Sequence, residues 1–380
     1  MNKKQIIKKV FYFIFMSIFL FSCNNKKNQI NISKTNNKKN IAISFPTKNF
    51  KRWNDDGNYL RDKFINMGHD VSIIYADNNI SHQFRDVKEL MSSSFDLIII
   101  SAIDENSLSQ VLNNTKEKKP KIISYDNEVF NTSNIDYNVL YDDFETGKIQ
   151  AEYVENSLDL KNNNSKKFNI EFFLGDENDK KTKKIYDGLM SILKKYIDDG
   201  TLNILSKEIN FDDITITNSN TATAMTRMQN ILDTYYIDDK LDAVICANDN
   251  LAEGVINAID TSYNFDNNII ITGEGGNLNN LNFILNNKQS MTVFNSHEEE
   301  RNVLLSVSKG ILENVKYADV ITDSNINYRY DVKNFNNNSI IVPTYIPIPI
   351  ILEKNNIKKE LSNSKDYKLV DNNHFEEITE

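Results

Sequence analysis

At 380 residues, with 40% hydrophobic and 10% aromatic content, the chain is long enough for two ordinary domains with real cores. Its formal charge of −9 argues against nucleic acid or an anionic lipid surface as partner. Losing Lys3, Lys4, Lys8 and Lys9 with a cleaved leader would make it four units more negative. Asn, Lys and Ile are abundant throughout, so clusters of Asn carry little functional weight.

The first residues, MNKKQIIKK, are basic and precede an apolar stretch, Val10 to Phe21, that is short for a bilayer span. It ends in Leu20-Phe21-Ser22-Cys23, which resembles a bacterial lipoprotein signal with Cys23 as the acylated residue. Phe21 departs from the small residue usual there, and a plain signal peptide or an uncleaved anchor is the alternative. Residues 23–40 read as a solvated tether. Only Cys23 and Cys246 are present, so lipidation of Cys23 leaves no internal disulfide, and Cys246 in DAVICA reads as a buried small hydrophobe.

From Ile41 the pattern is βαβ. A short apolar run, Ile41 to Phe45, stops at Pro46 as a buried parallel strand does. A polar loop carrying Lys48, Arg52 and Trp53 precedes an amphipathic helix (Tyr59, Leu60, Phe64, Met67), a C-cap at Gly68 and a strand from Val71 to Tyr75. That loop lies at the carboxyl end of a strand, where open α/β sheets bind ligands. Arg52 and the lone Trp53 suit a hydroxyl and an apolar ring face; the equal alternative is that Trp53 only covers the top of the sheet.

The theme repeats. Strands are expected at 95–101, 121–125 and 139–141, and helices at 108–113 and 147–158. A polar joint at 161–167 follows. A second series then has strands at 168–174, 202–209, 243–247 and 269–272, with helices at 185–197, 222–235 and 251–259. Segments 289–294, 298–312 and 340–352 complete it. The expected fold class is α/β, with two doubly wound parallel-sheet lobes joined by a three-strand hinge around a cleft. The boundaries are 41–142 plus 293–341 for the N-terminal lobe, 143–292 plus 342–353 for the C-terminal lobe, and a polar tail at 354–380.

Between Ile41 and Leu352 the segments PTKNFKRWNDDG, SAIDENSLSQVL, IISYDNE, YDDFETGKIQAEYV, TATAMTRMQNIL, DAVICANDNLAEGVINAI and MTVFN stand in order. In these the chain resembles the type I periplasmic binding proteins of sugar ABC transporters, in the xylose-binding and multiple-sugar-binding branch. The resemblance implies a monosaccharide ligand (an aldopyranose such as xylose, glucose or galactose) and an ABC permease with its ATPase as membrane partner. It implies a periplasmic or cell-surface location, no cofactor and no enzymatic activity.

The resemblance also implies a ligand set. Lys48 and Arg52 match basic residues of the family's first loop, and Trp53 follows the Arg as it does there. Asp126 matches an acidic acceptor, with Asn127 where Arg is usual. Asp142 matches the Asp of the first crossover, with Asp143 in place of Asn. Asn248 and Asp249 match the amide and acid after DAVICA. Other positions depart from the family: Ser219 replaces a Trp, Gly273-Glu274-Gly275 replaces G-Q-D, Asn295 replaces a basic residue, and Lys180-Lys181 replaces an Asn pair. Glu274 and Asn295 thus enter the candidate set as substitutes. The rival reading is a surface lipoprotein of this fold with a degenerate pocket, acting in interaction or antigenicity. The four His residues are scattered, so no metal site and no Ser/His/Asp set is expected.

Overall fold

A computed structural model describes residues 38–114, 119–162, 165–315, 326–371 and 373–378. Cys23, the leader and most of the tether lie outside the described residues. No helix among the described residues is long and apolar enough to cross a membrane.

The first lobe is built on a seven-stranded sheet in the order β11-β12-β5-β4-β3-β1-β2. Its strands are β1 (Asn40–Phe45), β2 (Asp70–Tyr75), β3 (Leu97–Ile100), β4 (Lys121–Tyr125), β5 (Tyr137–Val139), β11 (Tyr328–Asp331) and β12 (Thr344–Pro347). All neighbours run parallel except β11 against β12. Side chains alternate across the pleat: Ile41, Ile43 and Phe45 enter one core, and Ala42 enters the other. Helices α1 (Lys51–Asn66), α2 (Ile80–Ser92) and α3 (Ser109–Asn113) connect the strands, and α9 (His297–Leu312) covers the face holding Trp53.

The second lobe has a four-stranded parallel sheet, β7-β6-β8-β9. It comprises β6 (Phe168–Phe173), β7 (Leu202–Asn203), β8 (Ala243–Cys246) and β9 (Ile270–Ile271). Around it lie α4 (Asp143–Ser157), α5 (Lys180–Asp198), α6 (Thr221–Tyr235), α7 (Asp249–Ser262) and α8 (Leu278–Leu285). Cys246 is fully buried in this core, and burial holds its thiol well above the ordinary range.

The chain passes between the lobes three times. It goes from β5 into α4, from β10 (Met291–Phe294) into α9, and from β12 into β13 (Ile350–Glu353). The third crossing corrects the expected boundary at 342. Thr344 and Tyr345 pair with Asn138 and Val139 of the first sheet, while Ile350–Glu353 pairs antiparallel with β10. The apolar run 340–352 is therefore two strands of two lobes, not one.

The expected polar tail is also corrected. Residues 357–360 form α10 (Ile357–Glu360), and β14 (Tyr367–Asp371) and β15 (His374–Glu377) form a hairpin. Ile357, Leu361 and Phe375 are buried against Leu281, Ile284 and Leu285 of α8. Few apolar residues at wide spacing, inside a polar stretch, concealed a real satellite core.

Other differences are local. The strand expected to reach Ile209 stops at Asn203, and α5 starts at Lys180 rather than Ile185 because Asp179 caps it, accepting from the Lys181 amide. Arg52 and Trp53 sit in the first turn of α1, not in a loop. Trp53, Asp56, Gly57, Leu60 and Phe64 form its buried stripe at helical spacing.

Candidate functional site

The first-lobe wall begins at Arg52. Its guanidinium donates to Glu300 Oε2 at 2.7 Å and reaches Asp126 Oδ1 at 2.8 Å. It also lies 4.4 Å above the Trp53 ring. Trp53 is 7% exposed, with Phe45 and Tyr125 at ring distances of 5.1 and 6.2 Å. Trp53 is thus a core residue whose open face is already covered by Arg52. Asp126 follows β4 with φ +69°, a left-handed conformation that Asp tolerates, and the turn brings its carboxylate to Arg52.

Behind Arg52 the wall is a buried charge network. Tyr125 donates to Asp56 Oδ2 at 2.8 Å, and Arg301 stands 3.4 Å from Asp56 Oδ1. Burial works against the charge on Arg52, but Asp126 and Glu300 outweigh it and hold the guanidinium well above its ordinary pKa. Burial raises the carboxyl of Glu300 well above the usual range, with Arg52 opposing. Among the described residues, Arg52 Nε and Glu300 Oε1 have no hydrogen-bond partner.

The second-lobe wall comes from the starts of two helices and the turn after β9. Lys181, in the first turn of α5, donates to Glu274 Oε1 at 3.1 Å and stands 4.0 Å from Asp143 Oδ1. Asn295 Nδ2 donates to the same Glu274 oxygen at 3.1 Å, and Asn295 Oδ1 has no partner among the described residues. Lys181 and Asp143 are walled in by protein, yet their side chains keep 41% and 21% of their surface open to water, as in a cleft. Burial pushes the Asp143 carboxyl up to about 7, against the pull of Lys181. Glu274, ahead of burial, Asp143 and Asp126, sets the charge of Lys181, which it holds above its ordinary range. Lys184, three residues after Lys181 on α5, pairs with Glu128, two residues after Asp126, so both walls border one cleft.

The lobes also touch directly. Lys180 Nζ lies 3.1 Å from Glu105 and 3.5 Å above the Phe130 ring, and Lys184 pairs with buried Glu128.

Of the expected set, the structure brings together Arg52, Trp53, Asp126, Asp143, Glu274 and Asn295. The others are placed differently. Lys48 is exposed on the turn before α1. Asn127 donates to the Ala102 carbonyl, and Asp142 caps α4 through the amides of Phe144 and Glu145 while pairing with Arg329. Asn248 caps α7 and donates to Ser219 at 2.9 Å. Asp249 is 1% exposed and accepts from the amides of Gly276 and Asn277 and from Gln289 and Thr292, so its oxygens are already occupied. Asn248, Asp249 and Glu274 line a hollow of about 780 Å³ on the second lobe, with Asp176, Asp179 and Ser219.

Glu300 and Asp56 escaped the sequence reading. Glu300, Val303, Leu304 and Val307 are spaced i, i+3, i+4, i+7, a signal that sets this carboxylate on the buried face of α9. Asp56 holds the same position on the stripe of α1.

Two α/β lobes with polar walls closing on one cleft define a class of ligand-binding protein. Residues 41–314 match the family model described as a periplasmic binding protein domain, and the chain belongs to that family. It is 31% identical over 331 residues to the multiple sugar-binding periplasmic receptor ChvE of Rhizobium radiobacter, covering 86% of this chain and 90% of the relative. It is 24% identical over 320 residues to the D-xylose-binding periplasmic protein of Escherichia coli (strain K12), covering 84% and 88%. Among solved structures, an ABC transporter solute binding protein from Clostridium phytofermentans with bound β-D-glucose superposes with a TM-score of 0.70. Its identity is 31%, with coverage of 85% and 96%.

Proposed function

We propose that this protein is a lipid-anchored receptor that closes its two lobes on a monosaccharide and presents it to an ABC permease and its ATPase. The observation that carries the reading is a pair of polar walls, Arg52 with Asp126 on one lobe and Asp143, Lys181, Glu274 and Asn295 on the other, on lobes that Lys180 and Lys184 bring into contact. Charged, planar groups on both sides suit the paired donors and acceptors of neighbouring hydroxyls. Contacts to both lobes bias a hinge toward closure. The sugar-binding relatives and the glucose-bound structure support the ligand class. The Cys23 signal supports the anchor, and mass spectrometry lacking an acyl chain on Cys23 would remove that part.

The test is thermal unfolding of the purified chain against neutral aldopyranoses. A ligand at 100 times its dissociation constant adds about 2.7 kcal/mol. A panel without any shift supports a second reading, a degenerate pocket serving interaction. That reading has its own observation: Arg52 and Lys181 are each already held by carboxylates of the cleft.

A further inference from the structure

The cleft carries more acid than base. Two interlobe ion pairs are closed within themselves, Lys180 with Glu105 and Lys184 with Glu128; on the first-lobe side Arg329 pairs with Asp142 and Asp331, and Arg301 with Asp56 and Glu298. What remains is Arg52, shared among Asp126, Glu300 and, at 3.8 Å, Asp56, and Lys181, shared between Glu274 and Asp143. Each cation therefore faces at least two carboxylates. Lys181 is 4.0 Å from Asp143 Oδ1.

The network also leaves buried polar atoms open. Among the described residues, the acceptors Glu300 Oε1 and Asn295 Oδ1 and the donors Arg52 Nε and Arg301 Nε have no hydrogen-bond partner. Glu300 is 1% exposed, so water does not relieve it. Both acceptors sit at the ends of the cleft's charge network, since the other oxygen of Glu300 holds Arg52 and the amide nitrogen of Asn295 holds Glu274.

We propose that the cleft selects a cationic sugar, a monosaccharide bearing a protonated amine, whose ammonium sits among the carboxylates of this cluster with Asp143 as its principal acceptor. A neutral sugar satisfies the hydroxyl donors and acceptors but leaves the excess acid uncompensated. A uronic acid adds a further negative charge and is excluded. The raised carboxyls of Asp143 and Glu300 fit this, because a group forced by burial to hold its proton gains most from a cation alongside. The inference rests on the monosaccharide reading above and narrows it to a chemical class.

Calorimetry on the full chain with glucose, galactose and mannose, the matching 2-amino-2-deoxy sugars, their N-acetyl forms and glucuronate tests it. At least one amino sugar should bind about tenfold or more tightly than its neutral parent, with the advantage abolished by N-acetylation. Asp143→Asn, near in shape, should lower that ratio severalfold, with circular dichroism verifying its fold. Neutral sugars binding as tightly as every amino sugar, or glucuronate binding more tightly, overturns the proposal and leaves the receptor reading standing. Binding by none of the sugars overturns both.

Discussion

Gly147 of α4 and Gly188 of α5 are the contact points at which these two helices pack backbone to backbone. A Cβ on Gly147 would lie 2.0 Å from the Ile185 carbonyl oxygen, and one on Gly188 would lie 2.0 Å from that of Phe144. Both approaches are to main chain, which cannot swing aside. The crossing also sets the site: α4 begins with Asp143 and α5 begins with Lys180 and Lys181, so the depth of packing fixes the distance between Asp143 and Lys181.

Gly147→Ala should therefore destabilise the second lobe although Ala is the better helix former. The intrinsic gain is about 1 kcal/mol. Overpacking against rigid backbone costs about 1–3 kcal/mol or more and wins. Chemical denaturation comparing Gly147→Ala with an exposed control such as Lys194→Ala measures the difference. Equal stability would show that the helices can separate freely.

Arg52→Ala carries a larger penalty than loss of binding alone. It strips the partner from Glu300, which is 1% exposed, and from Asp126. Breaking a buried pair by removing one partner costs about 3–5 kcal/mol. The double variant Arg52→Ala/Glu300→Gln should recover part of that stability without recovering ligand binding. If Arg52→Ala unfolds at the parent's denaturant midpoint, the buried network is not holding the lobe.

How far the sequence carried can be judged from single residues. Ile41 to Phe45 and Gly68 read directly, because a buried strand is an apolar run and φ +89° needs glycine. Trp53 did not read, since core and pocket use the same ring, and only its contacts with Phe45 and Tyr125 decide. Asp249 misled for a related reason. An acid after a strand looks like a ligand group, and only the structure shows four protein donors converging on it. Lys181 with Glu274 was beyond pattern, being a contact between residues 93 positions apart.

Asp143 makes stability depend on pH with a defined sign. Its carboxyl titrates near 7 when folded against an ordinary 3.8, so between those values the folded chain holds a proton that the unfolded chain has released. Stability from this group is therefore greatest at the acid end, falls as pH rises, and levels off above about 7. The limit, from the shift, is about 4 kcal/mol. Asp143→Asn should flatten that part of the profile, so urea unfolding at about pH 5 and pH 8 should show the parent losing ground to the variant. A parallel pair of profiles would mean that Asp143 ionises freely.

The C-terminal hairpin should be a structural part of the second lobe. Phe375 is 1% exposed, its backbone exchanges two hydrogen bonds with the Asn282 side chain, and it closes the cluster around Leu281, Ile284 and Leu285. Phe375→Ala is expected to cost about 3–5 kcal/mol. Limited proteolysis should then cut first within 354–378. An unchanged digestion pattern would show that the hairpin contributes nothing to the lobe.

The interlobe lysines should govern closure. Lys180 reaches Glu105 and the Phe130 ring, and Lys184 reaches Glu128, all across the cleft from α5 to the first lobe. Exposed pairs are worth only about 0.2–1 kcal/mol. Glu128, however, is 5% exposed, so its pair is of the partly buried kind, and the stacking of Lys180 on Phe130 adds about 0.5–1 kcal/mol. Together they bias the closed form by a modest amount that a ligand's contacts can add to. Lys180→Ala/Lys184→Ala should raise the radius of gyration measured by X-ray scattering without ligand and weaken sugar binding severalfold, because part of the binding energy must now drive closure. The effect should be on apparent affinity and not on which sugar is preferred, since neither lysine touches the cluster of Arg52, Asp126, Asp143 and Glu274. A change in preference with unaltered scattering would place these lysines in the ligand site instead of the hinge balance.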